Sequence, residues 1–169
     1  MPGGGHRRRQ ADRHCCGLSV NAPIRIIPPI YILALIMLGY GLHRLLPWSL
    51  DTEPPWRTAG FLITAGSFCL YLWTVWTMKA SGTTIDVRIP ARTLLVHGPF
   101  RFSRNPMYLA ALLLFAGLGL ITDAVWFWLS GAVFQQILQH LIVPIEERQL
   151  AELFTDRYQN YRQQVRRWL

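Results

Sequence analysis

The first group of residues that could do chemistry lies in residues 97–108, where a histidine and two arginines precede an apolar run. Asn105 followed by Pro106 has the pattern of a helix N-cap with proline at the first helical position. A helix N-terminus with Arg104 beside it would attract an anionic group such as a carboxylate. The alternative is a capped helix flanked by arginines at a membrane interface, and the residues alone leave both interpretations open.

The second group combines glutamines, a histidine and two glutamates at the end of another apolar run. On one helix these residues would form a polar face of two neighbouring stripes, Gln135, Gln139 and Glu146 beside Gln136, His140 and Glu147. Polar side chains in a membrane helix are costly and should face protein or a wet cavity, although glutamines also join packed helices by hydrogen bonds. Adjacent carboxylates repel each other, so Glu146 and Glu147 suggest cationic or hydroxyl ligands.

Apolar segments must position both groups. The chain is 51% hydrophobic and only 15% charged, too little charge for an ordinary soluble domain. Its long apolar runs predict an all-α, multi-pass membrane bundle with about four transmembrane helices and a C-terminal amphipathic helix. The predicted transmembrane helices cover about 26–46, 58–78, 106–121 and 124–145, and the amphipathic helix covers about 147–167. Only two residues separate the third and fourth helices, which predicts a tight antiparallel hairpin.

Charge distribution predicts the orientation. Residues 1–23, rich in glycine and arginine, are predicted to be a disordered basic tail before one membrane domain at 24–169; a cleaved signal peptide is the competing interpretation. With the N-terminus inside, 15 of the 17 Lys and Arg residues face the cytoplasm. The positive-inside rule therefore predicts cytoplasmic termini, and a bacterial inner membrane is the expected location. The three cysteines form no C-x-x-C pair, so no metal site is predicted, and no nucleic-acid partner is expected.

The C-terminal segment has the pattern of an amphipathic helix. Apolar and aromatic residues recur at spacings of three and four, at Leu150, Leu153, Phe154, Tyr158, Tyr161, Val165 and Trp168. Such a helix could lie in the headgroup layer with its arginines toward anionic lipid, or it could cover a site as a lid. Both interpretations stay open.

Two segments of the C-terminal half together resemble the integral-membrane methyltransferases that include isoprenylcysteine carboxyl methyltransferase and the phospholipid N-methyltransferases. Members of that family carry Gly-Pro-Tyr-Arg-x-x-Arg-His-Pro-Met-Tyr, a helical hairpin, and Glu-Glu-x-x-Leu-x-x-x-Phe-Gly-x-x-Tyr-x-x-Tyr. The matching residues here run from Gly98 to Tyr108 and from Glu146 to Tyr161. Three positions depart from the pattern, because Phe100 replaces the tyrosine, Asn105 the histidine and Thr155 the glycine.

The resemblance implies a methyltransferase that uses S-adenosylmethionine, with a lipophilic methyl acceptor entering from the bilayer. It implies catalytic roles for Arg104 and Glu146. The implied cofactor-binding residues are His97, Gly98, Pro99, Asn105, Tyr108, Glu146 and Glu147. Asn105 can form hydrogen bonds but does not titrate, so it does not supply a proton-transfer role at that position.

The acceptor atom stays open at this stage. The carboxylate of a prenylcysteine-like compound would use Arg104 as a clamp, whereas a phospholipid amine or a thiol would need a proton acceptor such as a glutamate or His97. Two other functions are compatible with the chain: an NADPH-dependent membrane reductase of the sterol-reductase type, and a non-catalytic membrane protein that binds or assembles partners.

Overall fold

The computed structural model describes residues 28–51, 53–82 and 93–169, and all regular structure in these ranges is helical. The α-helices are α1 (Pro28–Leu45), α2 (Pro54–Ala80), α3 (Pro106–Thr122), α4 (Val125–Ile137) and α5 (Val143–Gln164). A 3₁₀ turn at Gly98–Arg101 precedes α3, and a π turn at Leu138–Ile142 joins α4 to α5. The predicted all-α class is confirmed. The predicted basic tail at 1–23 lies outside the described residues.

Two helices, α1 and α2, are long and apolar enough to cross a membrane, judged by length and composition. Most of their apolar side chains are not covered by protein: Leu33, Phe61 and Leu62 are each more than 60% exposed. Helix α3 is apolar but has only 17 residues. The described residues therefore supply two candidate spans, and the predicted count of four stays a prediction.

Small residues bring α2 and α3 into close contact. A side chain on Gly60 would lie 3.0 Å from the carbonyl oxygen of Gly117, and one on Gly117 would lie 3.0 Å from the carbonyl oxygen of Gly60. Further along the same interface, the Ser67 hydroxyl donates a 2.7 Å hydrogen bond to the carbonyl oxygen of Ala110. Close backbone approach of this kind is how helices associate where apolar burial gives no advantage over lipid.

The hairpin expected between the third and fourth helices is present. Asp123 ends α3 in the left-handed conformation with a φ of 53°, and the amide of Ala124 donates to the carbonyl oxygen of Gly119. The two arms enclose an aromatic core in which the rings of Phe115 and Phe134 lie 5.7 Å apart. The hairpin returns the chain to the side where α3 began, so the start of α3 and the start of α5 are neighbours.

Three boundaries differ from those predicted. Helix α2 begins at Pro54 instead of near residue 58, because proline has no N–H to lose in a first helical turn. The fourth helix does not end at residue 145: a π turn carries it into α5, accommodating Pro144, which cannot donate to the preceding turn. The predicted amphipathic helix ends at Gln164 instead of residue 167, and its interior is kinked at Thr155, where φ is 36°.

Candidate active site

The first part of the candidate site is the contact between Tyr108, in the first turn of α3, and Glu146, in the first turn of α5. The Tyr108 hydroxyl donates a 2.5 Å hydrogen bond to the Glu146 carboxylate. Tyr108 is buried and Glu146 is half-buried. Within the described ranges this hydroxyl is the only hydrogen-bond partner of Glu146, so one carboxylate oxygen is left without a donor.

The second part is a carboxylate held between two arginines. Glu147 forms an ion pair with Arg104 at 2.8 Å, and it accepts hydrogen bonds from two nitrogen atoms of Arg167 at 2.7 and 3.1 Å. The side chains of Glu147 and Arg104 are only 14% and 10% exposed, so water screens the attraction between them less than in a surface pair, and removing one partner would leave the other as a buried unpaired charge. Two guanidinium groups share one carboxylate, so the cluster retains one net positive charge.

Helix α5 covers this cluster through two buried tyrosines. The hydroxyl of Tyr158 accepts a 3.3 Å hydrogen bond from Arg104, and the hydroxyl of Tyr161 donates a 2.7 Å hydrogen bond to the carbonyl oxygen of Phe100. The amphipathic helix therefore packs on residues 100–104 along its tyrosine stripe. Leu153, in the same predicted stripe, stays 50% exposed.

The C-terminal residues return along the start of α3. The amide of Arg104 donates to the carbonyl oxygen of Arg166, and the side chains of Ser103 and Asn105 both donate to the carbonyl oxygen of Arg167 at 3.2 Å. Asn105 is the N-cap residue of α3, as expected, but its side chain makes no capping hydrogen bond and instead holds this C-terminal segment.

Sequence reasoning missed Arg167 as a site residue. The sequence predicts only that Arg167 is one of the basic residues that face the cytoplasm. Nothing near it in the sequence indicates that the C-terminal segment folds back onto the start of α3. The only available signal was the aromatic residue that follows it, since Trp168 packs against the hydrophobic core and anchors the returning segment.

Three other residues predicted to bind the cofactor, His97, Gly98 and Pro99, lie near the C-terminal end of α2. Gly98 has a φ of 60°, and a side chain there would lie 2.9 Å from the Thr77 hydroxyl, which explains the glycine. Pro99 is buried, and His97 is exposed with its Nε2 3.2 Å from the Ser81 hydroxyl. Among the described residues, no hydrogen bond or ion pair joins these three to Glu146 or Glu147.

The predicted polar face of the fourth helix does not continue into the glutamates. Gln136, Gln139 and His140 are exposed, and Gln135 is half-buried with its Oε1 atom buried and unpaired in the described structure. The π turn between these residues and Glu146 inserts an extra residue per turn, which rotates the later residues relative to the earlier ones. Only the glutamates reach the candidate site.

Burial sets the electrostatics of the site. It raises the pKa of Glu146, which follows the predicted fourth span, from 4.5 to about 7; the negative charge of Glu147 adds to this, while the hydrogen bond from Tyr108 opposes it. Burial also raises the pKa of Tyr161 to about 12, with the positive charge of Arg104 opposing. The hydrogen bond to Glu147 raises the pKa of Arg167. Glu146 can therefore exchange a proton near neutral pH.

An open groove of about 390 Å³ lies beside this cluster and contains none of the predicted site residues. It is lined by Val96, Arg101, Arg157, Asn160, Tyr161, Gln164 and Val165. Sequence analysis did not single out this groove, because it forms only when the last turns of α5 pack beside the 3₁₀ turn. No group of three or more potential metal ligands occurs among the described residues.

Comparison with models of protein families gives a match. A family model described as phospholipid methyltransferase matches residues 56–157, which is more than half of the chain and includes most of α2, the hairpin and the two glutamates. No significant match was found among curated proteins or solved structures.

Proposed function

Because the chain belongs to the phospholipid methyltransferase family, we propose that it is a membrane methyltransferase that uses S-adenosylmethionine and acts on a lipid-like or small lipophilic acceptor. The observation that carries the proposal is the Tyr108–Glu146 hydrogen bond. It joins the two segments that resemble the family, which are separated by the whole hairpin, at one end of the bundle.

The chemical groups at this end match those of the proposed methyl donor. That molecule carries an ammonium, a carboxylate and ribose hydroxyls, and when bound it supplies a methyl group on a cationic sulfonium. Glu146 has a carboxylate oxygen without a donor, suited to an ammonium or a hydroxyl. The Arg104 Nε atom is buried and unpaired among the described residues, and its cluster has excess positive charge, suited to a carboxylate. These two features support the fit.

The same geometry gives Glu147 a different role from the one the resemblance implies. Both of its oxygens already accept from arginines, so it has little capacity left for a cationic ligand. We assign it as a positioning residue that fixes Arg104 at the start of α3. His97, Gly98, Pro99 and Asn105 remain proposed contacts of the donor, with Gly98 shaping the backbone.

The state of Glu146 favours an acceptor that must lose a proton. An amine or a thiol has to release a proton as it gains the methyl group, and a carboxyl with a pKa near 7 can accept one at neutral pH. A carboxylate acceptor would instead need a second cationic clamp, because the spare capacity of Arg104 is assigned here to the carboxylate of the donor. We therefore propose a lipid amine or a lipophilic thiol as the acceptor class, with Glu146 as the proton acceptor.

We further propose that all four long helical segments cross the membrane, with the site at the cytoplasmic face of a bacterial inner membrane. The outward apolar side chains of α1 and α2 support membrane embedding, and the excess of arginines on the side of Glu147 supports the orientation. In this arrangement the lipophilic acceptor would enter laterally from the bilayer and the polar donor from the cytoplasm. No nucleic-acid partner is proposed.

Calorimetric titration of the detergent-purified protein with S-adenosylhomocysteine tests the proposal. We expect saturable binding that Glu146→Gln weakens at least about tenfold, the effect of losing one charge-assisted contact. Glu152→Gln is the matched control, because Glu152 is an exposed carboxylate on the same helix. Absence of binding in a sample shown to be folded would reject the proposal, and a parallel titration with NADPH would then separate a reductase from a non-catalytic protein.

A further inference from the structure

We propose that the groove between residues 96–101 and the last turns of α5 binds a phosphate group, carried by a lipid head group at the membrane surface. This site is separate from the proposed methyl-transfer site. The two share no residue among those that contact Glu146 or Glu147.

The polar residues of the groove form one face of α5. Arg157, Asn160, Tyr161 and Gln164 follow the spacing i, i+3, i+4 and i+7, which places them on the same side of a helix. Arg101, from the 3₁₀ turn, faces them across the groove. Among the described residues that line the groove there is no carboxylate, and the ionised groups are the two guanidiniums.

The two arginines of the groove differ from those of the methyl-transfer site, because no described residue provides them with a counter-ion. Arg104 and Arg167 share Glu147, whereas no ion pair or hydrogen bond involves the side chain of Arg101 or Arg157 within the described ranges. Two unpaired guanidiniums beside one cavity repel each other, and an anion between them removes that repulsion. Guanidinium groups bind phosphate oxygens in a bidentate manner, and the amides of Asn160 and Gln164 offer further donors.

The apolar residues of the groove favour a lipid as the source of the phosphate. Val96 and Val165 line it together with the ring of Tyr161, and Val96 is 47% exposed. Phe102, next to Arg101 in the chain, is 63% exposed. Charged and apolar surfaces side by side match a phosphate attached to a glycerol backbone better than a free phosphate ion.

A phosphate group bound in the groove would stabilise the packing of α5 against the 3₁₀ turn. Tyr161 already joins these elements through its hydrogen bond to Phe100, and the bound phosphate would add contacts from Arg101 on one side and Arg157 on the other. The lipid would thereby hold the helix that covers Arg104.

The test is a binding titration of the detergent-purified full chain at constant ionic strength. The ligands are short-chain phosphatidylglycerol below its micelle concentration, the corresponding diacylglycerol without phosphate, and inorganic phosphate. The proteins are the wild type, Arg101→Gln/Arg157→Gln, and the charge-matched control Arg148→Gln/Arg162→Gln, whose two arginines are exposed and lie outside the groove. The double variant Arg101→Lys/Arg157→Lys keeps both positive charges but loses the planar guanidinium groups that bind phosphate in a bidentate manner. It replaces the glutamine variant in the test if that variant does not fold.

We expect phosphatidylglycerol to bind saturably and diacylglycerol at least about tenfold more weakly. The groove double variant should weaken phosphatidylglycerol binding about tenfold or more, since two charge-assisted contacts are lost, and the control should bind like the wild type. The lysine variant should bind phosphatidylglycerol more tightly than the glutamine variant and more weakly than the wild type. Saturable binding of inorganic phosphate with the same sensitivity to the groove variant would identify free phosphate as a second source.

Three results would overturn the proposal: equal binding of diacylglycerol, equal loss in the groove and control variants, or no saturable binding of either phosphate-containing ligand. The first result would mean that the lipid binds through its apolar part alone. The second would mean that the lipid is attracted to the positive charge of the protein in general and not to the groove. Because the readout is lipid binding, it is independent of S-adenosylhomocysteine binding, and either proposal can fail without the other.

Discussion

Arg167 binds both carboxylate oxygens of Glu147, at 2.7 and 3.1 Å, although the two residues lie in different segments of the site. This pair fastens the last residues of the chain to the start of α5. It also places a second positive charge, besides that of Arg104, against the single negative charge of Glu147.

The first prediction concerns this pair. Arg167→Ala should lower the stability of the protein by about 1 kcal/mol, a discounted value for a bidentate pair whose arginine is partly exposed. The unfolding temperature should fall by roughly 2–4 °C, as expected for a chain of this size. Arg166→Ala is the control, because Arg166 contributes a backbone carbonyl and its side chain is exposed. Equal shifts in the two variants would contradict the role given to the Arg167 side chain.

The second prediction concerns the kink in α5. Thr155 has a φ of 36°, a region that disfavours side chains, and it stands where the resembled family has glycine. Thr155→Gly should therefore stabilise the protein by about 1 kcal/mol. At the neighbouring exposed position, Asp156→Gly should destabilise it by a similar amount, as glycine does in an ordinary helical conformation. Thermal unfolding of both variants checks the sign, and a loss of stability in both would mean that residue 155 is helical.

The third prediction concerns pH. Glu146 has a pKa of about 7 in the folded protein and an ordinary value of 4.5. A carboxyl whose pKa is raised by folding contributes stability below its ordinary pKa and loses that contribution as pH rises through the folded value. Stability should therefore fall between about pH 4.5 and 7. Glu146→Gln should flatten this part of the curve and Glu152→Gln should not; unfolding temperatures measured across this range provide the test.

The fourth prediction concerns the hydrogen bond between Tyr108 and Glu146. That bond lowers the pKa of Glu146, so Tyr108→Phe should raise it further. If Glu146 accepts the proton during methyl transfer, the rising limb of the pH–rate profile should move to higher pH in this variant. Tyr71→Phe, an exposed tyrosine on α2, is the control. An unchanged profile in Tyr108→Phe would remove Glu146 from the proton-transfer role.

The fifth prediction concerns the packing of α2 on α3. Gly117→Val should destabilise the protein by about 2 kcal/mol or more, because the added side chain would meet Thr64 and the backbone of Gly60. Gly66→Val is the matched control, since a side chain at Gly66 meets nothing within 4 Å. Equal unfolding temperatures for the two variants would rule out close packing at Gly117.

The sequence by itself determined the helical class, the hairpin and the family. These features follow from local properties: apolar runs form helices, Thr122 and Asp123 leave room only for a tight turn, and the two family segments can be read letter by letter. The start of α3 could also be predicted, because Asn105 and Pro106 act within one turn of the chain.

Only the tertiary structure decided which side chains meet. The side chain of Asn105 was expected to cap its own helix and instead donates to Arg167, a choice that depends on where the C-terminus folds. The ion pair between Arg104 and Glu147 could likewise not be predicted from the sequence, since the whole hairpin separates the two residues. The π turn before Glu146 separated the glutamates from the glutamines, because one inserted residue rotates everything that follows it. Such contacts join residues far apart in the chain, and helical periodicity describes only residues a few positions apart.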